Sequence, residues 1–221
     1  MFFCWILVAI FLGSFPGLAT GENDSPLGAS SLTLNQVSSG TVCQPDDPVD
    51  WWKVYVSSAS EIVVFLDGVG ALDVDLYFYD ANLNLLAQST GGGADEVVFG
   101  SVRGGWYYIK VVACFSSNTC INYYLGVTTS DACGYLSGYG DYDIYRVYLS
   151  AGNTYYIFLT DHSRTFDPDL FLFRDTTLIA ESDSADNIDV IVYTPSISGY
   201  YTIAVASAGG SGNYCLLVIS R

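Results

Sequence analysis

Two acidic pairs at matching places are the residues of this chain best suited to chemistry. Asp73-Val74-Asp75 and Asp167-Pro168-Asp169 each lead into an apolar, aromatic run, Leu76-Tyr77-Phe78-Tyr79 and Leu170-Phe171-Leu172-Phe173. Alternate side chains of an extended chain share a side, so each Asp-x-Asp sets two carboxylates together, the beginning of a site for a hard cation such as Ca²⁺. Calcium takes roughly six to eight oxygens, so further ligands are required. Asp50, Asp95 and Glu96 could complete the first set, and Asp143, Asp183 and Asp186 the second. The competing reading is structural: carboxylates accept backbone N–H bonds and pin the turn that enters a strand. The structural role outweighs calcium, and no EF-hand loop is present.

Catalytic constellations are weaker still. His162, in Asp161-His162-Ser163-Arg164, is the single histidine of the chain. Neighbours along a chain point different ways, whereas a triad needs convergence in space. The first half has Gly68-Val69-Gly70 at the matching place. There is no G-x-S-x-G elbow, H-E-x-x-H or phosphate loop. Carboxylate pairs for glycoside hydrolysis are too common in an acidic chain to carry a reading. One histidine and no C-x-x-C pair exclude an ordinary zinc site. No catalytic residue is assigned, and the expectation is a protein that is not an enzyme.

The six cysteines are Cys4, in the leading apolar run, and Cys43, Cys114, Cys120, Cys133 and Cys215. The last five fit an exported chain with disulfides and one thiol over. The favoured bridges are Cys114–Cys120, across a small loop, and Cys133–Cys215, between first and last strands. Cys43–Cys114 and Cys43–Cys120 are the competing arrangements. Aromatic residues are abundant, with 18 Tyr, 12 Phe and 4 Trp. Runs such as Trp51-Trp52, Trp106-Tyr107-Tyr108 and Tyr123-Tyr124 turn alternate rings outward. Exposed rings could stack on sugars or on a polymer or protein surface. Packing between domains is the heavier expectation for them.

These residues are positioned by short strands. From Cys43 onward, period-two alternation and β-branched or aromatic runs recur between Gly, Asp, Asn and Ser, without a sustained helical period. The series runs twice. Asp50 to Ser57 matches Asp143 to Ser150, Glu61 to Leu66 matches Thr154 to Leu159, and each Asp-x-Asp strand follows. Leu85 to Ser89 then matches Leu178 to Ser182, Glu96 to Phe99 matches Val190 to Tyr193, and Gly105 to Val111 matches Gly199 to Val205. Asn122-Tyr123-Tyr124-Leu125 closes one copy and Asn213-Tyr214-Cys215-Leu216 the other. The fold class is therefore all-β: two tandem antiparallel β-sandwich, jelly-roll-like domains, at 43–130 and 131–221. The apolar residues 1–20 read as a signal peptide, although no Lys or Arg precedes the run. Residues 21–42 read as a flexible leader, with an N-glycosylation acceptor at Asn23-Asp24-Ser25. A formal net charge of −16 repels phosphate backbones and argues against nucleic acid as a partner.

The order of these motifs resembles the bacterial and archaeal pre-peptidase C-terminal domain. Asp50, Asp73, Asp75, Leu76, Ala87, Ser89, Gly105, Tyr107, Val111, Tyr123 and Leu125 carry the likeness in the first copy. Asp143, Asp167, Asp169, Leu170, Ala180, Ser182, Gly199, Tyr201, Val205, Tyr214 and Leu216 carry it in the second. The resemblance implies a secreted accessory β-sandwich, usually linked to an enzyme and sometimes binding calcium or an extracellular polymer such as collagen. A pair of such modules without a preceding peptidase departs from that setting. The expected function is a secreted or cell-surface, non-catalytic module that binds or stabilises an extracellular polymer, a cell surface or a partner protein. An accessory subunit for a separately encoded peptidase is the alternative, and a hydrolase the third reading. No membrane span is expected after signal cleavage.

Overall fold

The computed structural model describes residues 23–116, 118–129, 132–161, 166–183 and 188–221. The expected signal peptide, His162 and Asp186 lie outside them.

The first half forms nine strands: β1 (Ser30–Ser31), β2 (Gln36–Gln44), β3 (Val49–Val56), β4 (Ser60–Gly68), β5 (Val74–Tyr79), β6 (Leu85–Ser89), β7 (Asp95–Val102), β8 (Gly105–Ala113) and β9 (Thr119–Thr129). The second half forms eight: β10 (Ala132–Leu136), β11 (Tyr142–Leu149), β12 (Tyr155–Asp161), β13 (Asp167–Arg174), β14 (Thr177–Ser182), β15 (Ile188–Tyr193), β16 (Gly199–Gly209) and β17 (Gly212–Ser220). The sheets of the first half run β1-β3-β8-β5-β6 and β2-β9-β4-β7. Those of the second run β11-β16-β13-β14 and β10-β17-β12-β15, the same order without the short β1. All pairings are antiparallel except β1 with β3. This crossing of chain order between two facing sheets is the jelly-roll arrangement, used twice.

Alternation fills each sandwich. Trp52, Val54 and Val56 of β3 face Ile62, Val64 and Leu66 of β4 across the first core, with Ile109, Val111, Tyr123 and Leu125 between them. Leu149, Ile157, Leu159, Ile203, Val205 and Leu216 form the second core. A third apolar layer joins the halves. Val63 and Phe65 of β4 meet Tyr156 and Phe158 of β12, with Leu217 and Ile219 of β17. The inner sheet of each sandwich therefore lies against that of the other, and four sheets stack in series. This explains why Ile62-Val63-Val64-Phe65-Leu66 and Tyr156-Ile157-Phe158-Leu159 are apolar without alternation. Both strands are buried on both faces. Phe65 lies over Gly126 on the neighbouring strand, where an added Cβ would fall 2.3 Å from its ring. The ring is thereby held flat, 4.6 Å from Tyr156 and 5.0 Å from Phe158. Arg221 fastens the same junction. Its guanidinium stacks 3.9 Å from the Tyr124 ring and lies 3.7 Å from Asp67, and its backbone N–H donates to Thr154.

Two expectations are corrected here. The leader is part of the first sandwich: β2 pairs along β9 from Gln36 to Gln44, and Leu32 and Val42 are buried. An edge strand needs few apolar side chains, because ladder hydrogen bonds hold it, and composition alone does not reveal it. The expected Cys114–Cys120 bridge is replaced by Cys43–Cys120, since β2 runs beside β9 and sets these two residues opposite each other, with Cα atoms 4.0 Å apart. Cys114 stays outside both disulfides, its thiol donating to Asp75 over 3.0 Å. Cys133 is bonded to Cys215 between β10 and β17.

Each core is also crossed by a tyrosine. The Tyr123 hydroxyl donates to the Asp50 carboxylate and accepts from Trp52 Nε1 at 2.8 Å. Tyr214 repeats this, donating to Asp143 at 2.6 Å, with the Tyr145 hydroxyl 2.6 Å away. A hydroxyl has one proton, so Tyr145 must be the donor of that second bond. Trp52 and Tyr145 thus do the same job with different groups. Opposite each ring the partner strand carries glycine, Gly40 or Gly134, where a Cβ would fall 2.3 or 2.4 Å from the phenol. Tyr107 and Tyr201 bond back to the carbonyls of Arg103 and Ile197, closing the turn before their strands.

Candidate functional site

The Asp-x-Asp residues lie where β5 and β13 begin, and their surroundings are repeated. Asp75 is buried and accepts from the Tyr77 hydroxyl and the Cys114 thiol. Burial pushes the Asp73 carboxyl up from its ordinary range, and the charge of Asp75 adds to it. One Asp73 oxygen is buried without a hydrogen-bond partner. Glu96, on β7, accepts from the Ser89 hydroxyl and from the Gly91 N–H at 3.0 Å. Burial raises its pKa, with Asp75 and Asp73 as smaller causes. In the second half Ser182 donates to Asp189 at 2.8 Å. Asp169 is pushed up to about 6, first by burial and then by Asp167, Asp189, Asp183 and Glu181. Serine and acid thus accompany Asp-x-Asp in both copies.

Of the expected calcium helpers among the described residues, only Glu96 and Asp183 are near these pairs. Asp50 and Asp143 belong to the tyrosine networks, and Asp95 pairs with Asp67 on another face of β7. Among the described residues no three such side chains are set to hold a metal ion. Asp75 and Glu96 already accept hydrogen bonds, so these carboxylates do not form a ready calcium cage.

A second acidic group forms where Asn23-Asp24 meets Asp47 and the start of β3. The Asn23 carbonyl accepts from the Trp51 N–H at 2.7 Å, which lays Asn23-Asp24 beside β3. Asp47 is pushed up to about 6 by burial, then by a hydrogen bond shared with Asp24 and by the charge of Asp50. One oxygen each of Asp24 and Asp47 is buried without a hydrogen-bond partner. Carboxylates plus an amide are an all-oxygen donor set, the chemistry of a hard cation. The signal was legible only as single acids, Asp24 in a segment read as a flexible leader and Asp47 and Asp50 at the start of the first domain.

The aromatic runs resolve into inward and outward rings. Trp52 and Tyr107 are core; Trp51, Tyr55, Trp106 and Tyr108 project from the outer face of the β3-β8-β5 sheet, with Tyr77 and Tyr79 of β5. On the ladder, Tyr55 is opposite Trp106, Tyr108 lies between Lys53 and Tyr79, and Lys110 between Trp51 and Tyr77. Lys110 sits 5.2 Å from the Tyr77 ring centre, and Trp51 packs 5.3 Å from Tyr79. Tyr55 and Trp106, 5.3 Å apart, are 51% and 48% exposed, so their outer faces are open to a partner. The outer face of the other sandwich carries exposed Tyr142, Ile144, Tyr148 and Tyr200, with Arg146 over the Tyr200 ring at 4.1 Å. The expectation that such rings pack between the domains is corrected for the Trp51 and Trp106 runs, while Tyr124 does lie at the junction, under Arg221. That junction uses Phe65, Tyr156 and Phe158, and the rings of Trp51 and Trp106 lie on the far side of the stack.

Residues 48–113 match the family model of the bacterial pre-peptidase C-terminal domain; they lie within the first sandwich. Among solved structures, the pre-peptidase C-terminal domain of a collagenase from Bacillus anthracis is similar, at 21% identity over 45% of this chain and 93% of that one, with a TM-score of 0.40. A periplasmic inhibitor of g-type lysozyme from Aeromonas hydrophila shares 19% identity over 41% of this chain and 83% of that one, with a TM-score of 0.34. Comparison with curated proteins finds no match.

Proposed function

We propose that this protein is a non-catalytic binding module of the extracellular or cell-surface space, and that it holds an extended polymer on the outer face of the β3-β8-β5 sheet. The observation that carries the reading is the ladder of six rings and two lysines on one open face, Tyr55, Trp106, Tyr108, Tyr79, Trp51 and Tyr77 with Lys53 and Lys110. Flat rings bury area at low entropic cost and stack on sugar faces or on proline-rich chains, while the lysines supply hydrogen-bond donors between them. Both lysines of the described chain stand on this face of an acidic molecule. The match of residues 48–113 to an accessory-module family supports the same reading. Two disulfides suit an oxidising compartment. Among the described residues no helix is long and apolar enough to cross a membrane.

Co-sedimentation tests it directly, with insoluble collagen, cellulose, chitin and peptidoglycan as separate substrates. Tyr55→Ala with Trp106→Ala should lower the bound fraction on the retaining polymer about tenfold or more, because a truncated stacking ring costs roughly 1–3 kcal/mol. Retention on none of the four, or equal retention of the double variant, defeats the proposal.

Calcium belongs to this reading as a structural ion at the Asp24–Asp47 carboxyl pair, Asp50 beside them being committed to Tyr123. It would neutralise acids that now raise one another's pKa. Calcium should raise the melting temperature of the parent protein and leave Asp47→Asn unmoved. An equal rise in both would place the ion elsewhere, with the Asp-x-Asp residues next in line.

A further inference from the structure

A cleft of about 450 Å³ opens between the two sandwiches, at the ends of β4 and β7 on one side and along β12 and β15 on the other. That is within the size of small-molecule sites, roughly 300–1,000 Å³. Its walls are apolar: Phe65, Tyr156, Phe158 and Val190. Its mouth is acidic, and the reason is a single rung of the β4–β7 ladder. Asp67 stands directly opposite Asp95. Both share the parity of Phe65 and Val97, so both turn to the cleft, whereas Glu96, between Asp95 and Val97, turns its carboxylate the other way, to Ser89 and Gly91. Like charges directly opposite each other destabilise a sheet. Asp67 is met by the Tyr156 hydroxyl and by Arg221 at 3.7 Å, whereas Asp95 accepts the Gly68 N–H at 3.1 Å. One guanidinium therefore faces two carboxyls beside an apolar cavity.

We propose that this cleft binds a small organic cation with a hydrocarbon body, an aliphatic or aryl primary amine. The body lies against Val97 and Val190, over the packed rings of Phe65, Tyr156 and Phe158, and the ammonium lies at the Asp67–Asp95 rung. An ammonium has three donors and no acceptor, which suits two carboxylates across a strand pair. The neighbouring ring faces favour the same charge. A neutral alcohol of equal size gains only the apolar contacts, and a carboxylate is repelled.

The test uses the full chain, with phenethylamine and hexylamine titrated by calorimetry beside phenethyl alcohol. The amines should bind saturably and about tenfold or more tighter than the alcohol, the worth of one or two charge-assisted hydrogen bonds. Asp67→Asn with Asp95→Asn should remove that preference, because the amides keep the shape and lose the charge. If the double variant melts early, Val192→Trp serves instead. Val192 is 56% exposed at the rim, so a larger side chain is tolerated and narrows the entrance. It should weaken amine binding about tenfold while the melting temperature stays in place. Equal affinity for amine and alcohol, undiminished binding in a folded variant of either kind, or no binding by the parent protein overturns the proposal.

Discussion

The phenol of Tyr214 lies 2.6 Å from both the Asp143 carboxylate and the Tyr145 hydroxyl, inside a strand pair where Gly134 leaves it room. Tyr214→Phe keeps the ring and removes both bonds, leaving Asp143 without that donor. The loss should be about 1–3 kcal/mol, read as a lower urea midpoint at unchanged slope. Gly134→Ala should cost at least as much, because the phenol cannot give way without leaving Asp143. A second residue-scale prediction concerns Asp169, pushed up to about 6. A carboxyl with a higher pKa in the folded state binds its proton more tightly there. Its cost to stability is therefore complete above pH of about 6 and is relieved as the pH falls from 6 towards the ordinary value near 3.8. Asp169→Asn should raise the melting temperature at neutral pH by a few degrees and flatten its pH dependence in that window. A lower melting temperature for the amide would show that the charge is instead compensated.

At the scale of elements, the sequence made the strands visible and hid their neighbours. The repeat of Asp50 to Ser57 as Asp143 to Ser150, and of the Gly-aromatic-Tyr runs, is reproduced as β3 with β11 and β8 with β16, in the same sheet order. What composition could not show was β2, a polar edge strand whose partners are backbone atoms of β9. The Cys43–Cys120 disulfide follows from that strand, and the approach of Asn23-Asp24 to Asp47 from the bond of the Asn23 carbonyl to the Trp51 N–H. The Asp-x-Asp pairs were legible as residues, but the Ser89–Glu96 and Ser182–Asp189 bonds beside them depend on a turn that only folding supplies. Non-reducing peptide mapping should recover Cys43–Cys120 and Cys133–Cys215, with Cys114 alkylated in denaturant without reductant. A Cys114–Cys120 peptide would contradict the β2–β9 register. Removing either disulfide releases a loop constraint spanning 77 or 82 residues and should cost about 2–5 kcal/mol.

At the scale of the molecule, the junction between sandwiches governs whether the two halves act as one body. Gly126→Leu should displace Phe65 from its place over β9 and loosen its contact with Tyr156 and Phe158. Arg221→Ala removes the cation shared by Asp67 and the Tyr124 ring, a partly exposed contact worth about 0.5–1 kcal/mol. Together they should split one unfolding transition into two; a single unchanged transition would mean that the junction contributes little. The four stacked sheets have a further consequence. Facing sheets lie about 10 Å apart, so the ringed faces at the two ends of the stack are separated by about 30 Å and look in opposite directions. One flat fibre cannot lie on both. A molecule gripping polymer at Trp106 would offer Tyr142, Tyr148 and Tyr200 to a second strand, making a rivet between fibres. Turbidity of a polymer suspension should then rise with added protein and fall again in excess, once every fibre is coated on its own.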